Sequence, residues 1–270
     1  MRKLNLNEIQ NLSFEGLVYL REFFEEHNLR YYLAWGTLLG AIRHQGFIPW
    51  DDDIDIWVPR EDYMKLLSLL HDIENSDWQL VHYSEEKKCL FGWAKLVNKH
   101  TICRPSVYPT NFEIGLSLDI FPLDYIDKPV DIALKELHHK AAPLFKELNG
   151  FHPFIADIHA SRFNRLLRHY FFKFKCFTGR PYNDIMSEYD MLFQSSECND
   201  SFSAVDYISS GFLAFENLWF GEGQKKNFWG ELFTTPNDSD KVLTTCYGDY
   251  LKLPPVEQQV THHLYDTWLL

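Results

Sequence analysis

The sequence predicts an α+β fold with a helical insertion, and three observations carry that prediction. Amphipathic helical patterns alternate with short aliphatic strands over residues 1–127, the pattern turns helical over 128–200, and it becomes mixed over 201–270. A chain of 270 residues buries a sizeable core without disulfide staples. The expectation is therefore a single domain, with 1–127 as its core, 128–200 as a helical subdomain and 201–270 as a C-terminal segment.

Each element follows from its pattern. Ile9, Leu12, Leu17, Leu20 and Phe24 recur at helical spacing with acids opposite, so 7–27 reads as a helix capped by Asn5 or Asn7 and stopped at Asn28. Arg30 to Trp35 is a short aromatic strand, and Gly36-Thr37 turns into a helix that runs through Ile42. Asp53 to Val58 alternates acid with aliphatic, the period of a strand, and Pro59 ends it. A helix from Glu61 to Ile73 carries Tyr63, Leu66, Leu67 and Leu70 on one side, and strands follow at Trp78 to Tyr83, Phe91 to Val97 and Leu116 to Phe121. Helices are expected at 130–148, 157–176 and 182–195, separated by turns at Gly150 to Pro153 and Gly179 to Pro181. The tail holds a strand near Val205 to Ser209 and a short helix at Asp238 to Cys246.

Composition narrows the partners. Twenty-six basic residues stand against 38 acidic ones, a formal net charge of −12, which repels a nucleic-acid backbone. Cys89, Cys103, Cys176, Cys198 and Cys246 are odd in number, widely spaced and free of any C-x-x-C pair, so reduced thiols are expected rather than zinc or disulfides. Acids at helical spacing follow the first residues where a signal peptide would be apolar, which points to the cytoplasm. The longest near-apolar run, Tyr31 to Ile42, is shorter than the roughly 20 residues a bilayer needs.

The chemistry concentrates in Asp51-Asp52-Asp53-Ile54-Asp55-Ile56. Side chains alternate on a strand, so Asp53 and Asp55 face one side while Ile54 and Ile56 enter the core. Converging like charges are relieved by a hard divalent cation with oxygen ligands, and magnesium, with manganese as the substitute, is the expected ion. Asp51 shares their parity, and Asp52 faces elsewhere. The preceding glycine turn opens a helix whose first amides can hold a phosphate, so phosphate and metal sites would adjoin. A solvated acidic turn is the bland alternative. An EF-hand is rejected, because Ile56 stands where the loop needs glycine and Asp62 where it needs glutamate.

Gly36 to Ile56 resembles the signature of the LicD family of phosphocholine transferases, which is itself similar to the catalytic part of fukutin-related proteins. The resemblance extends in order to Gly92-Trp93-Ala94-Lys95-Leu96, Leu118-Asp119-Ile120-Phe121-Pro122-Leu123-Asp124, Tyr247-Gly248-Asp249-Tyr250, Leu253-Pro254-Pro255 and His262-His263. It implies the nucleotidyltransferase fold of DNA polymerase beta, a mixed sheet flanked by helices, with Gly36-Thr37, Asp53, Asp55 and Asp119 in the pattern positions. It further implies transfer of phosphocholine from CDP-choline to a sugar hydroxyl of a cell-surface glycan precursor such as teichoic acid, lipopolysaccharide or capsule, with release of CMP. Other CDP-alcohols, carrying ribitol or glycerol phosphate, are the alternative donors, and nucleotide transfer from an NTP or a non-catalytic binding module are the competing functions.

On this resemblance Asp53 and Asp55 hold the metal, and Asp119 either completes its shell or accepts the proton of the attacking hydroxyl. Arg43 and His44 contact donor phosphates, and Lys95 neutralises charge on phosphoryl oxygens, against the simpler readings of a local salt bridge, a helix end and a snorkelling stem. Trp35 and Trp50 lead a choline cage built on cation–π attraction, with core filling as the alternative. His262 is expected to reach the site. Glu257-Gln258-Gln259 stands where the family often has an arginine, and Trp57 where a smaller residue is usual. Finally, Arg162, Arg165, Arg168, Lys173, Lys175 and Arg180 fall in the acid-free segment 161–180, interleaved with aromatics. That segment is a candidate for peripheral contact with the inner face of the cell membrane or with a lipid-linked glycan acceptor, or else a helix with a solvated basic face.

Overall fold

The computed structural model describes residues 1–85, 91–105, 114–126, 130–148, 170, 174, 179–194, 201–206, 211–261 and 265–270. Its centre is a mixed sheet built from β2 (Tyr32–Leu33), β3 (Asp55–Pro59), β4 (Trp78–Val81), β5 (Ala94–Asn98) and β7 (Ser117–Tyr125) in the order β2-β3-β7-β5-β4. Among these five described strands only the β3–β7 pair is parallel. The far end of β7 pairs with β8 (Ser201–Asp206), which pairs in turn with β9 (Gly211–Glu216). A second, antiparallel sheet joins β1 (Arg2–Lys3), β12 (Tyr265–Leu269) and β6 (Thr101–Pro105), and β10 (Gln224–Phe228) forms a hairpin with β11 (Glu231–Thr235).

The α+β expectation therefore holds, with helices against a mixed sheet. Helix α1 (Leu6–Glu26) begins in a capping box, where the Asn5 side chain accepts from the Glu8 amide and the Glu8 carboxylate accepts from the Asn5 amide. It lies so close to the sheet that a Cβ on Gly16 would stand 2.7 Å from the Trp78 ring and 2.8 Å from Leu118. Helix α2 (Trp35–Arg43) precedes the acidic segment, and α3 (Arg60–Ser68) leaves β3 directly. Ile56, Ala94, Leu96, Leu118 and Ile120 are buried in the main core.

Helices α4 (Val130–Leu148) and α5 (Tyr182–Met191) share a smaller core of Ala141, Leu144, Leu148, Ile185, Met186 and Tyr189. A buried charge cluster ties it to the sheet. Arg60 donates to both oxygens of Asp124 on β7 at 2.5 and 2.8 Å and to Asp190 on α5 at 2.9 Å. Helix α6 (Ser239–Tyr247) packs against α2.

Several boundaries differ from the sequence expectation. The strand expected over Arg30 to Trp35 shrinks to Tyr32–Leu33, because Trp35 already starts α2. Strand β3 starts at Asp55, not Asp53, and includes Pro59, whose missing N–H lies at the strand end. Helix α3 stops at Ser68 rather than Ile73. Strands β1, β6, β9, β10, β11 and β12 carry no local signal that singled them out, since their pairing partners are distant in sequence. The helix expected at 157–176 and nearly all of the basic segment 161–180 lie outside the described residues.

Candidate active site

The site is organised by cross-strand register. Asp55 on β3 is paired with Asp119 on parallel β7, and Asp119 is paired with Lys95 on antiparallel β5. Paired residues face the same side of a sheet, so two carboxylates and one ammonium form a row across three adjacent strands. Burial of Ile56, Leu118 and Ile120 in the core fixes this register, because a slip by one residue would turn the aliphatics outward. Asp53 stands just ahead of β3, and the sheet is continued behind it by the Asp119 amide, which donates to the Ile54 carbonyl at 2.9 Å.

Helix α2 is locked to this row by its first turn. The Asp55 amide donates to the Thr37 hydroxyl at 2.9 Å, and the Ala34 amide donates to the Asp55 carbonyl at 3.0 Å. The helix has no side-chain cap, and Trp35 at its start takes φ +41°, a left-handed conformation that costs a non-glycine residue energy. Gly36 leaves room for Asp51, whose carboxylate oxygen lies 2.7 Å from where a Cβ would be. A carboxylate thus approaches the start of α2 where a donor phosphate was expected. Asp52 points elsewhere and accepts from the Thr261 hydroxyl at 2.8 Å.

Charge in the site is unbalanced. Burial pushes the Asp55 carboxyl well above the usual carboxylate range, with Asp53, Asp119 and Asp51 adding repulsion and Lys95 opposing it. Two phenols from the C-terminal segment feel the same acids. Tyr247, at the end of α6, is 44% exposed and within reach of the charges of Asp55, Asp51 and Asp53; Tyr265, on β12, is raised by burial, then Cys103, Asp52, Asp53 and Asp119. Sequence reasoning passed over both. Tyr247 stood inside a quoted motif, whereas Tyr265 carried no signal, since only the β12–β6 pairing brings it here.

Lys95 is only 6% exposed, so its stem does not snorkel to water. Its ammonium pairs with Asp119 and lies 4.2 Å from the Phe91 ring centroid and 5.3 Å from that of Trp93. The indole N–H of Trp93 donates to the other Asp119 oxygen at 2.8 Å. Arg43 is bonded to His44 Nε2 at 3.0 Å and to the Tyr250 carbonyl at 2.8 Å rather than to the aspartates. Burial and Arg43 depress the His44 imidazole below its ordinary value. Trp35 is half-buried on Trp57, with centroids 4.8 Å apart, and Trp50 stands edge-on to His44 at 6.4 Å. His262 lies outside the described residues.

For a divalent cation the donors are chemically suited, since Asp53 and Asp55 offer hard oxygens in a site with surplus negative charge. Among the described residues, however, no three His, Cys, Asp or Glu side chains are already gathered to hold a metal. The third carboxylate is engaged by Lys95 and Trp93 instead.

Residues 28–148 match the family model described as LicD/FKTN/FKRP, nucleotidyltransferase domain. The chain carries a LicD-family domain. That LicD segment runs from the end of α1 through α4 and includes Asp53, Asp55, Lys95 and Asp119. Across 282 aligned positions, covering 100% of both proteins, the chain is 27% identical to the lipopolysaccharide cholinephosphotransferase LicD of Haemophilus influenzae. It is 34% identical over 83 residues to an uncharacterized protein of Rickettsia typhi, 30% of this chain and 27% of that one. It is 46% identical over 44 residues to the human ribitol 5-phosphate transferase FKRP, 16% of this chain and 9% of that one. Among the described residues no helix is long and apolar enough to cross a membrane.

Proposed function

We propose that this protein transfers phosphocholine from CDP-choline to a sugar hydroxyl of a cell-surface glycan precursor, releasing CMP. The observation that carries the reading is the row Asp55–Asp119–Lys95 beside the first turn of α2. Full-length similarity to a cholinephosphotransferase supports choline as the alcohol. The similarity to a ribitol 5-phosphate transferase covers 16% of the chain and keeps CDP-ribitol as the second donor.

In this reading Asp53 and Asp55 would hold Mg2+, which when bound would supply neutralising charge for the donor phosphate oxygens. Arg43 and His44, at the C-terminal end of α2, orient the donor, since the Asp51 carboxylate already stands against Gly36 at the helix start. Asp119 would either complete the metal's shell or accept the proton of the attacking hydroxyl. The sugar oxygen forms a bond to the phosphorus of phosphocholine, the bond from that phosphorus to the CMP oxygen breaks, and CMP leaves with the electron pair. Trp35 and Trp50 supply aromatic faces for the quaternary ammonium. The acceptor is a lipid-linked glycan met at the inner face of the membrane, with 161–180 as the contact segment.

Calorimetric titration with CDP-choline, CDP-ribitol, CDP-glycerol and CTP, each with and without Mg2+, tests the reading without a known acceptor. Magnesium-dependent preference for CDP-choline is the expected result. Preference for another CDP-alcohol changes the donor, and preference for CTP, or no binding, defeats the assignment. Asp53→Asn is expected to cost more than the roughly 10–100-fold typical of losing a partner beyond the metal's own ligands, and unchanged turnover would remove the metal from Asp53.

A further inference from the structure

We propose that Lys95 is a resident counter-ion that withholds Asp119 from the divalent cation until donor phosphates arrive, so that donor and cation load together. The inference rests on the function proposed above and deepens it. Both Asp119 oxygens are taken, one by the Lys95 ammonium and the other by the Trp93 indole N–H. The ammonium is enclosed as well, with Ser117 Oγ 3.5 Å away and the Phe91 and Trp93 rings against it. Asp119 is at the same time the in-register neighbour of Asp55 on the parallel strand β3.

One carboxylate is therefore claimed by two cations. A buried ammonium depends on its counter-ion, and a divalent cation set between Asp55 and Asp119 would stand beside that ammonium and be repelled by it. Donor phosphates resolve the conflict, because they offer the ammonium new anionic partners on a flexible four-carbon stem and free Asp119 to turn. Coupling of this kind is reciprocal, so the donor tightens the cation by the factor with which the cation tightens the donor.

Mn2+ binding to the full chain, followed by paramagnetic resonance with and without CDP-choline, reads this directly without any turnover. Wild type is expected to bind Mn2+ weakly alone and at least about tenfold more tightly with the donor. Lys95→Met should bind Mn2+ at least about tenfold more tightly than wild type in the absence of donor, and should show a smaller donor effect. Lys95→Gln, which keeps a hydrogen-bonding head for Asp119, should do the same and covers an unstable Met variant. Adding Asp119→Asn to Lys95→Met should return the donor-free affinity to the wild-type value. Donor-free affinity that stays at the wild-type level in both Lys95 variants, or a gain that survives Asp119→Asn, overturns the proposal. If Mn2+ binding is lost in Asp55→Asn while Lys95→Met changes nothing, only the role of Lys95 falls. If it survives both Asp53→Asn and Asp55→Asn, the metal assignment falls with it.

Discussion

Asp51, Asp53, Asp55 and Asp119 differ less in chemistry than in what surrounds them. Asp55 is buried and pushed toward its neutral form, Asp119 is held by an ammonium and an indole, and Asp51 approaches the start of α2 over Gly36. Gly36 is the sensitive point, because an added Cβ would meet the Asp51 carboxylate oxygen at 2.7 Å with nothing else nearer than 3.8 Å. Gly36→Ala should therefore leave the fold intact, even favouring the helix, while displacing Asp51. Turnover is expected to drop on the order of 10²-fold, the scale of a 1 Å misplacement in an active site. Steady-state kinetics beside a thermal melt checks this, and full activity with an unchanged melt would mean that the position of Asp51 is immaterial. The place of Asp55 on a strand was legible in the sequence because the alternation of Asp55 to Val58 is local, whereas Asp53 lies ahead of that strand and alternation does not place it. The pairing of Lys95 with Asp119 was not legible, because 24 residues separate them and only the β5–β7 register joins them.

At the scale of elements, two contacts set the geometry around the site. Helix α1 approaches the sheet through Gly16, where a Cβ would press on Trp78 and Leu118, the latter next to Asp119 on β7. Gly16→Ala gains helix propensity but overpacks the core, and a net loss of about 1–3 kcal/mol is expected. The second contact is Arg60, 8% exposed, which joins β7 to α5 through Asp124 and Asp190. Arg60→Met leaves two buried carboxylates without their cation and should cost about 3–5 kcal/mol. Urea denaturation measures both, as a lower midpoint at unchanged slope. Stability equal to wild type in Arg60→Met would show that the ion cluster is dispensable for docking α5. Helix α1 was legible from its 3.6-residue period and α2 from the Gly36-Thr37 turn, while the helix expected at 157–176 lies outside the described residues. Of the strands, β3, β4, β5 and β7 announced themselves by buried aliphatics, while the two-residue β1 and the exposed β10 have too few apolar residues for a pattern.

Across the whole molecule, acid stability should depend on His82. Burial lowers this imidazole from 6.5 to about 4, so the unfolded chain binds a proton through that window before the folded chain does. Stability from the neutral imidazole is present above the unfolded value and drains as pH falls from 6.5 toward 4, by up to about 3 kcal/mol. Asp124, raised by burial against the opposing pull of Arg60, acts in the other direction, so the comparison belongs between wild type and His82→Phe. Melts from pH 7 to pH 4 should fall less steeply in His82→Phe, and parallel curves would exclude His82 as the source. By itself the sequence determined the α+β class, the order of the main helices and central strands, the acidic strand and the LicD resemblance. Each of these is written in side-chain periodicity or in a contiguous motif. Tertiary structure alone decided that Asp119 meets Lys95 and Trp93, that Tyr247 and Tyr265 come within electrostatic reach of the aspartates, and that Arg60 joins the helical pair to the sheet. Those contacts depend on strand register and on burial, which arise only when segments far apart in the chain exclude water together.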